Sequence, residues 1–309
     1  MPSLSLINDA SIYAAILILG ALSGFFCERV GIANISINGQ MIIGALVFTL
    51  FSTIIYKYMG TKTETEYTFI VCLIIAGILT IPTSLLFGFL TIKLKTNQII
   101  AGTAINLLAS GVATFVTYPL GDKIADKTSL SSDYLGLMKI GDGINTIYIG
   151  SILILIAVVL ITIGLMIMMK KTPFGLRLYA IGENPNAADA QGINVYKYQW
   201  IAVSISGFIA GIGGGLYMYA SRSPFAGEVG GIGFLALAIL IAGAWRIPLI
   251  AVVSIAFAVI TKTFSQIDKI PQEIGKLIPY VITLIALISF SKYSVAPKNV
   301  GIPFDKTKR

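Results

Sequence analysis

Histidine is absent from the 309-residue chain. Its absence removes the commonest general base near neutral pH, the His-containing nucleophilic triads and most zinc sites. Charge is scarce as well. Asp, Glu, Lys and Arg make up 12% of the residues, where a globular domain carries about 25%. Only two cysteines occur, Cys27 and Cys72, both inside apolar runs. They offer no disulfide framework and no metal site, so each thiol is expected to pack as a small hydrophobe. Carboxylate pairs within apolar runs, the mark of an ion relay at membrane depth, are missing too. The runs 68–91, 97–117, 146–169 and 198–220 hold no charge before their ends. An intramembrane enzyme is therefore left without catalytic groups. A stand-alone ion-coupled carrier, the competing reading of another class, would have to bind its ion through carbonyls and hydroxyls alone.

Apolar residues are abundant. They make up 56% of the chain, and the mean hydropathy is +0.87, so most of the surface has to face lipid or another protein. A helix needs about 20 mostly apolar residues to cross the hydrocarbon. Eight runs qualify, at 11–27, 39–56, 68–91, 97–117, 146–169, 198–220, 229–245 and 248–265, and a ninth lies at 277–291. The first lacks a basic leader and a small-residue cleavage site, so it reads as a span and not a signal peptide. The expected fold is all-α, a polytopic transmembrane bundle of about eight to ten spans. It forms one membrane domain over residues 1–309, with a cytoplasmic loop at 170–197.

The net charge of +8 is scattered between the apolar runs. No basic stripe forms, so nucleic acid is not expected and the bilayer accounts for the charge better. If 170–197 is cytoplasmic, nine crossings also place 28–38, 92–96, 246–247 and 292–309 inside. That side then holds 13 of the 22 basic residues and four of the 14 acids. The positive-inside rule thus favours an outer N-terminus and a cytoplasmic C-terminus in a bacterial plasma membrane.

Two segments, one in each half, open with glycines and small polar groups before continuing as apolar helix. They are 31–45, containing Asn34, Asn38, Gly39 and Gln40, and 227–244, containing Gly227, Gly230, Gly231, Gly233 and Phe234. Broken helix is tolerated at membrane depth only inside protein or beside water. A pair of such segments in two pseudo-repeated halves points to a solute path between them, although glycine also simply permits close helix packing. On 97–117, Asn106, Ser110 and Thr114 recur every four residues, and Thr103 joins their stripe. Candidate pathway residues are Asn34, Asn38, Gln40, Asn106, Ser110 and Phe234. The uncharged lining suits a neutral polar solute, though each amide could equally join two helices. The string Gly211-Ile212-Gly213-Gly214-Gly215 lacks the ending of a phosphate loop and reads as helix packing.

The segment 170–197 is the most specific. Asn184 is suited to an N-cap, with Pro185 at the first helical position. Ala187, Ala188 and Ala190 favour helix, and Gly192 ends it. A helix of about two turns is marginal alone in water, so a partner protein would have to hold it. The phrase Thr172-Pro173-Phe174-Gly175-Leu176-Arg177, followed by Ala180-Ile181-Gly182-Glu183-Asn184-Pro185, Ala187-Ala188-Asp189-Ala190 and Gly192-Ile193-Asn194, resembles the coupling loop of ATP-binding-cassette importer permeases. The branch is the one that includes ribose, branched-chain amino acid and nucleoside permeases. The resemblance extends to 34–45 and 233–243, and it leans towards the shorter nucleoside permease. Asn38, usually acidic in that branch, and Gly243-Ala244-Trp245-Arg246 depart from its pattern.

That resemblance implies a transport subunit without enzymatic activity or bound cofactor. A cytoplasmic ATPase would dock on Gly182, Glu183, Asn184, Ala187, Ala188, Asp189 and Gly192. A second, longer homologous permease and an extracytoplasmic substrate-binding lipoprotein would complete the importer. The implied solute is a nucleoside, with ribose, galactose or another simple sugar as the alternative.

Overall fold

The computed structural model describes residues 4–59, 66–125, 149–221, 223–265, 281, 284–285, 288 and 295–306. Among these the chain is helical, with no strand. The helices are α1 (Leu4–Glu28), α2 (Ile37–Met59), α3 (Glu66–Gly88), α4 (Gln98–Ala125), α5 (Ile149–Lys171), α6 (Pro173–Glu183), α7 (Pro185–Ala190), α8 (Val195–Ser221), α9 (Ile232–Ala242) and α10 (Ile247–Ser265). A π-helical turn, Phe89–Lys93, extends α3. Among the described residues, seven helices are long and apolar enough to cross a membrane. The apolar run 277–291 lies largely outside the described residues.

The run 229–245, read as a full span, is the one correction. Its helix α9 has 11 residues, a rise of about 16 Å, too short for the hydrocarbon. Left-handed backbone stops it at both ends, at Gly230 and Gly231 before it and at Ala244 and Trp245 after it. A polytopic helical bundle remains.

Helix α1 is apolar on every side and almost wholly buried, as a core helix should be. It packs on α8, α9, α10 and α5, while α8 also packs on α2 and α3. Glycines set the α8 contacts. A Cβ on Gly211 would lie 2.6 Å from Ala76 O, and one on Gly215 would lie 2.9 Å from Leu73 Cδ2. The Gly211–Gly215 string is thus a packing surface, as small residues are in membranes. Helices α3, α4, α5 and α10 present apolar side chains outwards, among them Ile74, Leu107, Phe115, Leu160 and Val252. Such faces need lipid or a partner chain to cover them.

Candidate functional site

The two glycine-broken segments meet. Asn38 Oδ1 accepts the Gly233 N–H at 3.2 Å, and a Cβ on Gly233 would collide with the Asn38 backbone. The non-helical chain before α2 is enclosed by protein, and side-chain amides satisfy its backbone. Gln199 Nε2 donates to Val30 O at 3.2 Å, and Gln98 Oε1 accepts from Ala33 N–H at 2.6 Å. Asn106 serves two groups, donating to Ile35 O at 3.0 Å and accepting from Gly39 N–H at 2.7 Å. Asn106 lies eight residues into α4, about 12 Å along its axis. This is how broken helix persists at depth, since each unpaired group there costs several kcal/mol.

Asn34 is fully buried and ties the segment to its neighbours. Its Nδ2 donates to Ser206 Oγ at 2.9 Å, and its Oδ1 accepts from Ser36 Oγ at 2.6 Å. Gln40 Nε2 reaches Ser36 Oγ at 2.8 Å, while its Oε1 is buried without a partner. Asn34, Asn38, Gln40 and Asn106 thus form one enclosed polar cluster. Ser110 stands one turn along α4 and donates to Gly227 O at 3.4 Å. Phe234, at the start of α9, is 44% exposed. The sequence reading missed Gln98, Gln199 and Ser206. Glutamines at span ends are unremarkable in sequence, and their partners lie far along the chain.

The second candidate region is built by caps. Thr172 Oγ1 accepts from Gly175 N–H at 3.3 Å and starts α6 with Pro173 at its first position. Asn184 closes α6 and opens α7, where its Oδ1 accepts from Ala187 N–H at 3.0 Å. Gly192 leaves α7 at φ +81°, the left-handed conformation glycine adopts freely. Asn194 Oδ1 then accepts from Lys197 N–H at 3.0 Å, opening α8. The helix from Pro185 is six residues long, a little under two turns. Helix α6 was not anticipated, although Thr172-Pro173 is an N-cap signal of the same kind as Asn184-Pro185.

These short helices divide into two faces. Ile181, Gly182, Pro185 and Ala188 are buried. Gly182 rests on the end of α1, where its Cβ would come 2.5 Å from Arg29 O. Glu183, Asn184, Asn186, Ala187, Ala190, Gln191 and Gly192 are exposed, and Asp189 is intermediate.

A C-terminal strap, residues 295–306, braces the same region. Asn299 N–H donates to Gly182 O at 3.0 Å and Gly301 N–H to Gly31 O at 3.1 Å. Lys306 pairs with Asp189 at 3.3 Å, and Asp305 pairs with Lys95 at 2.8 Å. The Asp305 carboxylate holds the Lys95 ammonium above its usual pKa. Phe304 packs on Tyr196 with ring centroids 5.2 Å apart. Residues 29–33, Lys95, the α6–α7 pair, the start of α8 and the strap therefore share one face of the bundle.

The α9–α10 turn joins that face through Glu28 and Arg29. Glu28 is buried and accepts a hydrogen bond from Trp245 Nε1. Arg29 Nη2 donates to Trp245 O at 2.5 Å, and its guanidinium lies 4.4 Å from the Tyr179 ring centroid. The Gly-Ala-Trp-Arg departure thus has a structural use, because Trp245 holds a buried carboxylate. Trp245→Phe should remove the indole donor to Glu28 and cost about 1–3 kcal/mol. The check is a lower thermal midpoint of the detergent-purified chain, with Phe304→Leu on the strap shifting it less.

A bundle of apolar helices with protein-enclosed broken segments, and a capped helix pair projecting from one face, defines a polytopic membrane transport subunit. The chain belongs to the family described as the branched-chain amino acid transport system / permease component, whose model matches residues 6–287. It is a multi-pass permease component of an ABC transporter and not an enzyme. Family members work with a separate ATPase and a substrate-binding partner.

Among curated proteins, the chain is 36% identical to the uncharacterized protein MG121 of Mycoplasma genitalium over all of both chains. It is 36% identical to the guanosine ABC transporter permease protein NupQ of Bacillus subtilis, covering 99% of this chain and 98% of that one. It is 31% identical to the nucleoside ABC transporter permease protein NupC of Lactococcus lactis, covering 98% and 97%. No solved structure matches.

Proposed function

We propose that this permease carries nucleosides into the cell. The observation behind the substrate is likeness over nearly the whole chain to two permeases named for guanosine and for nucleoside. The enclosed cluster of uncharged amides fits a neutral solute. In this reading Asn34, Gln40 and Asn106 hold the broken segment in shape. Asn38, Ser110 and Phe234 stand at the edge of the path, where α4 meets the chain leading into α9 at Gly227.

The face bearing the α6–α7 pair and the strap lies in the cytoplasm. The excess of basic residues on its segments supports that side. The cytoplasmic ATPase grips the exposed edge from Glu183 to Gly192. A longer homologous permease covers one of the outward apolar faces, and a lipoprotein delivers the solute outside. With the complex reconstituted in liposomes, guanosine or another nucleoside should raise ATP turnover severalfold, and ribose or galactose should not. Stimulation by a sugar alone would overturn the substrate. Solute uptake by this chain without ATP or partners would overturn the division of labour.

A further inference from the structure

A cavity of about 500 Å³ opens at the coupling face beside the ends of α5 and α10. Its walls are Arg29, Met166, Lys170, Tyr179, Arg246, Ile247, Pro248 and Leu249. Half of this lining is cationic or phenolic, and none of it is acidic. Lys170 and Arg246 are exposed and make no ion pair among the described residues. Arg29 is held in place by Trp245 and Tyr179, yet its Nε is buried with no hydrogen-bond partner. Burial lowers the Arg29 pKa, and the neighbouring Arg246 charge acts in the same direction. The acids that act on Arg29 are Glu28 and Glu183, and neither lines the cavity. Residues Ile247 to Leu249 are the first of α10, so the positive end of that helix adds to the field. Three cations converging on an open cavity without a carboxylate leave a site for an anion.

The remaining walls select the kind of anion. Met166, Ile247, Pro248 and Leu249 are apolar, and a free inorganic anion gains nothing from them. From the cavity, α5 and α10 continue with outward apolar side chains, including Ile163, Ile167 and Val252. Lys170 lies in the last turn of α5 and Ile247 begins α10, which puts the cations at the level where a span leaves the hydrocarbon. Basic pockets between spans at this level suit phospholipid head groups.

We propose that the cavity binds the phosphate of an anionic phospholipid, with its acyl chains along the outer faces of α5 and α10. The bound lipid joins α5, α6, the end of α1 and the α9–α10 turn, the elements on which the coupling helices rest. This inference rests on the chain spanning a membrane and not on which solute it carries.

The test uses the purified transporter complex, delipidated and returned to phosphatidylglycerol, phosphatidylcholine or inorganic phosphate. Lipid binding is followed by native mass spectrometry and thermal midpoint. Phosphatidylglycerol should bind and raise the midpoint, while phosphatidylcholine and phosphate should not. Each cation near a lipid surface contributes about fivefold in affinity, so K170Q/R246Q should bind phosphatidylglycerol about 30-fold more weakly. Both side chains are exposed, so the lipid-free midpoint should be unchanged. A photoreactive phosphatidylglycerol should label wild-type α5 or α10 near Met166 and Leu249. Equal binding of phosphatidylcholine, an equal shift with phosphate alone, undiminished binding by the double variant, or labelling only elsewhere would each overturn the lipid site. So would crosslinking of Leu249 to a partner subunit in place of lipid. Nucleoside stimulation is read separately, so failure here leaves the transport assignment standing.

Discussion

Gly214→Leu should abolish the folded permease, leaving little monodisperse protein on detergent extraction. At Gly214, α8 lies directly on the backbone of α2. A Cβ there would collide with Met41 O and come 3.0 Å from Ala45 N. One turn earlier the crossing is equally close, since a Cβ on Gly44 would lie 2.5 Å from Gly211 Cα. Neither obstruction is the end of a flexible side chain, so no rotamer change relieves it. The helices have to separate, and α8 simultaneously loses its fit against α3 at Gly211 and Gly207. Overpacking usually costs about 1–3 kcal/mol, and backbone-on-backbone contact puts this site at the upper end or beyond. Gly164→Leu is the control. Nothing lies within 4 Å of a Cβ at Gly164, so that variant should purify like the wild type. Equal yields of both variants would refute the close α2–α8 crossing.

The spans were legible because lipid imposes a coarse rule. A crossing helix needs a long apolar run, and α5 or α8 could hardly be read otherwise. The same rule over-read 229–245. Apolar composition says nothing about backbone handedness, and Ala244 and Trp245 carry no sign of the positive φ they adopt. Cap chemistry was legible for α7, where Asn184, Pro185 and Gly192 each have a local reason to stand where they do. It was present but unread for α6.

The polar cluster shows the limit most clearly. Asn34, Asn38, Gln40 and Asn106 were singled out one by one, and they do come together. Gln98, Gln199 and Ser206, which bond Ala33, Val30 and Asn34 of the same broken segment, were not, because pairing across 65 to 172 residues leaves no local pattern. Glu28 and Trp245, 217 residues apart, were hidden for the same reason.

The division of the coupling helices into a buried and an exposed edge yields the other large effect. In the proposed function, the ATPase touches Ala187 and not Ala188, although the two are adjacent in sequence. Ala187 is exposed, so Ala187→Arg should leave folding and membrane accumulation unchanged. It would set a long charged side chain against the partner. Truncations at well-packed interface centres cost about 2–4 kcal/mol, and an inserted charge should do no less. The expected result is at least about a thirtyfold weaker hold on the ATPase, seen as subunit loss on co-purification and collapse of solute-stimulated turnover. Ala188 is 4% exposed. Ala188→Asp should act earlier, placing a carboxylate where it finds no water and lowering the yield of folded chain before any ATPase is added. Gly182 belongs with Ala188, because its contact is Arg29 O and not a foreign surface. If Ala187→Arg kept full turnover in the assembled transporter, the ATPase would have to dock elsewhere on this face, with the strap at 295–306 the next surface to probe.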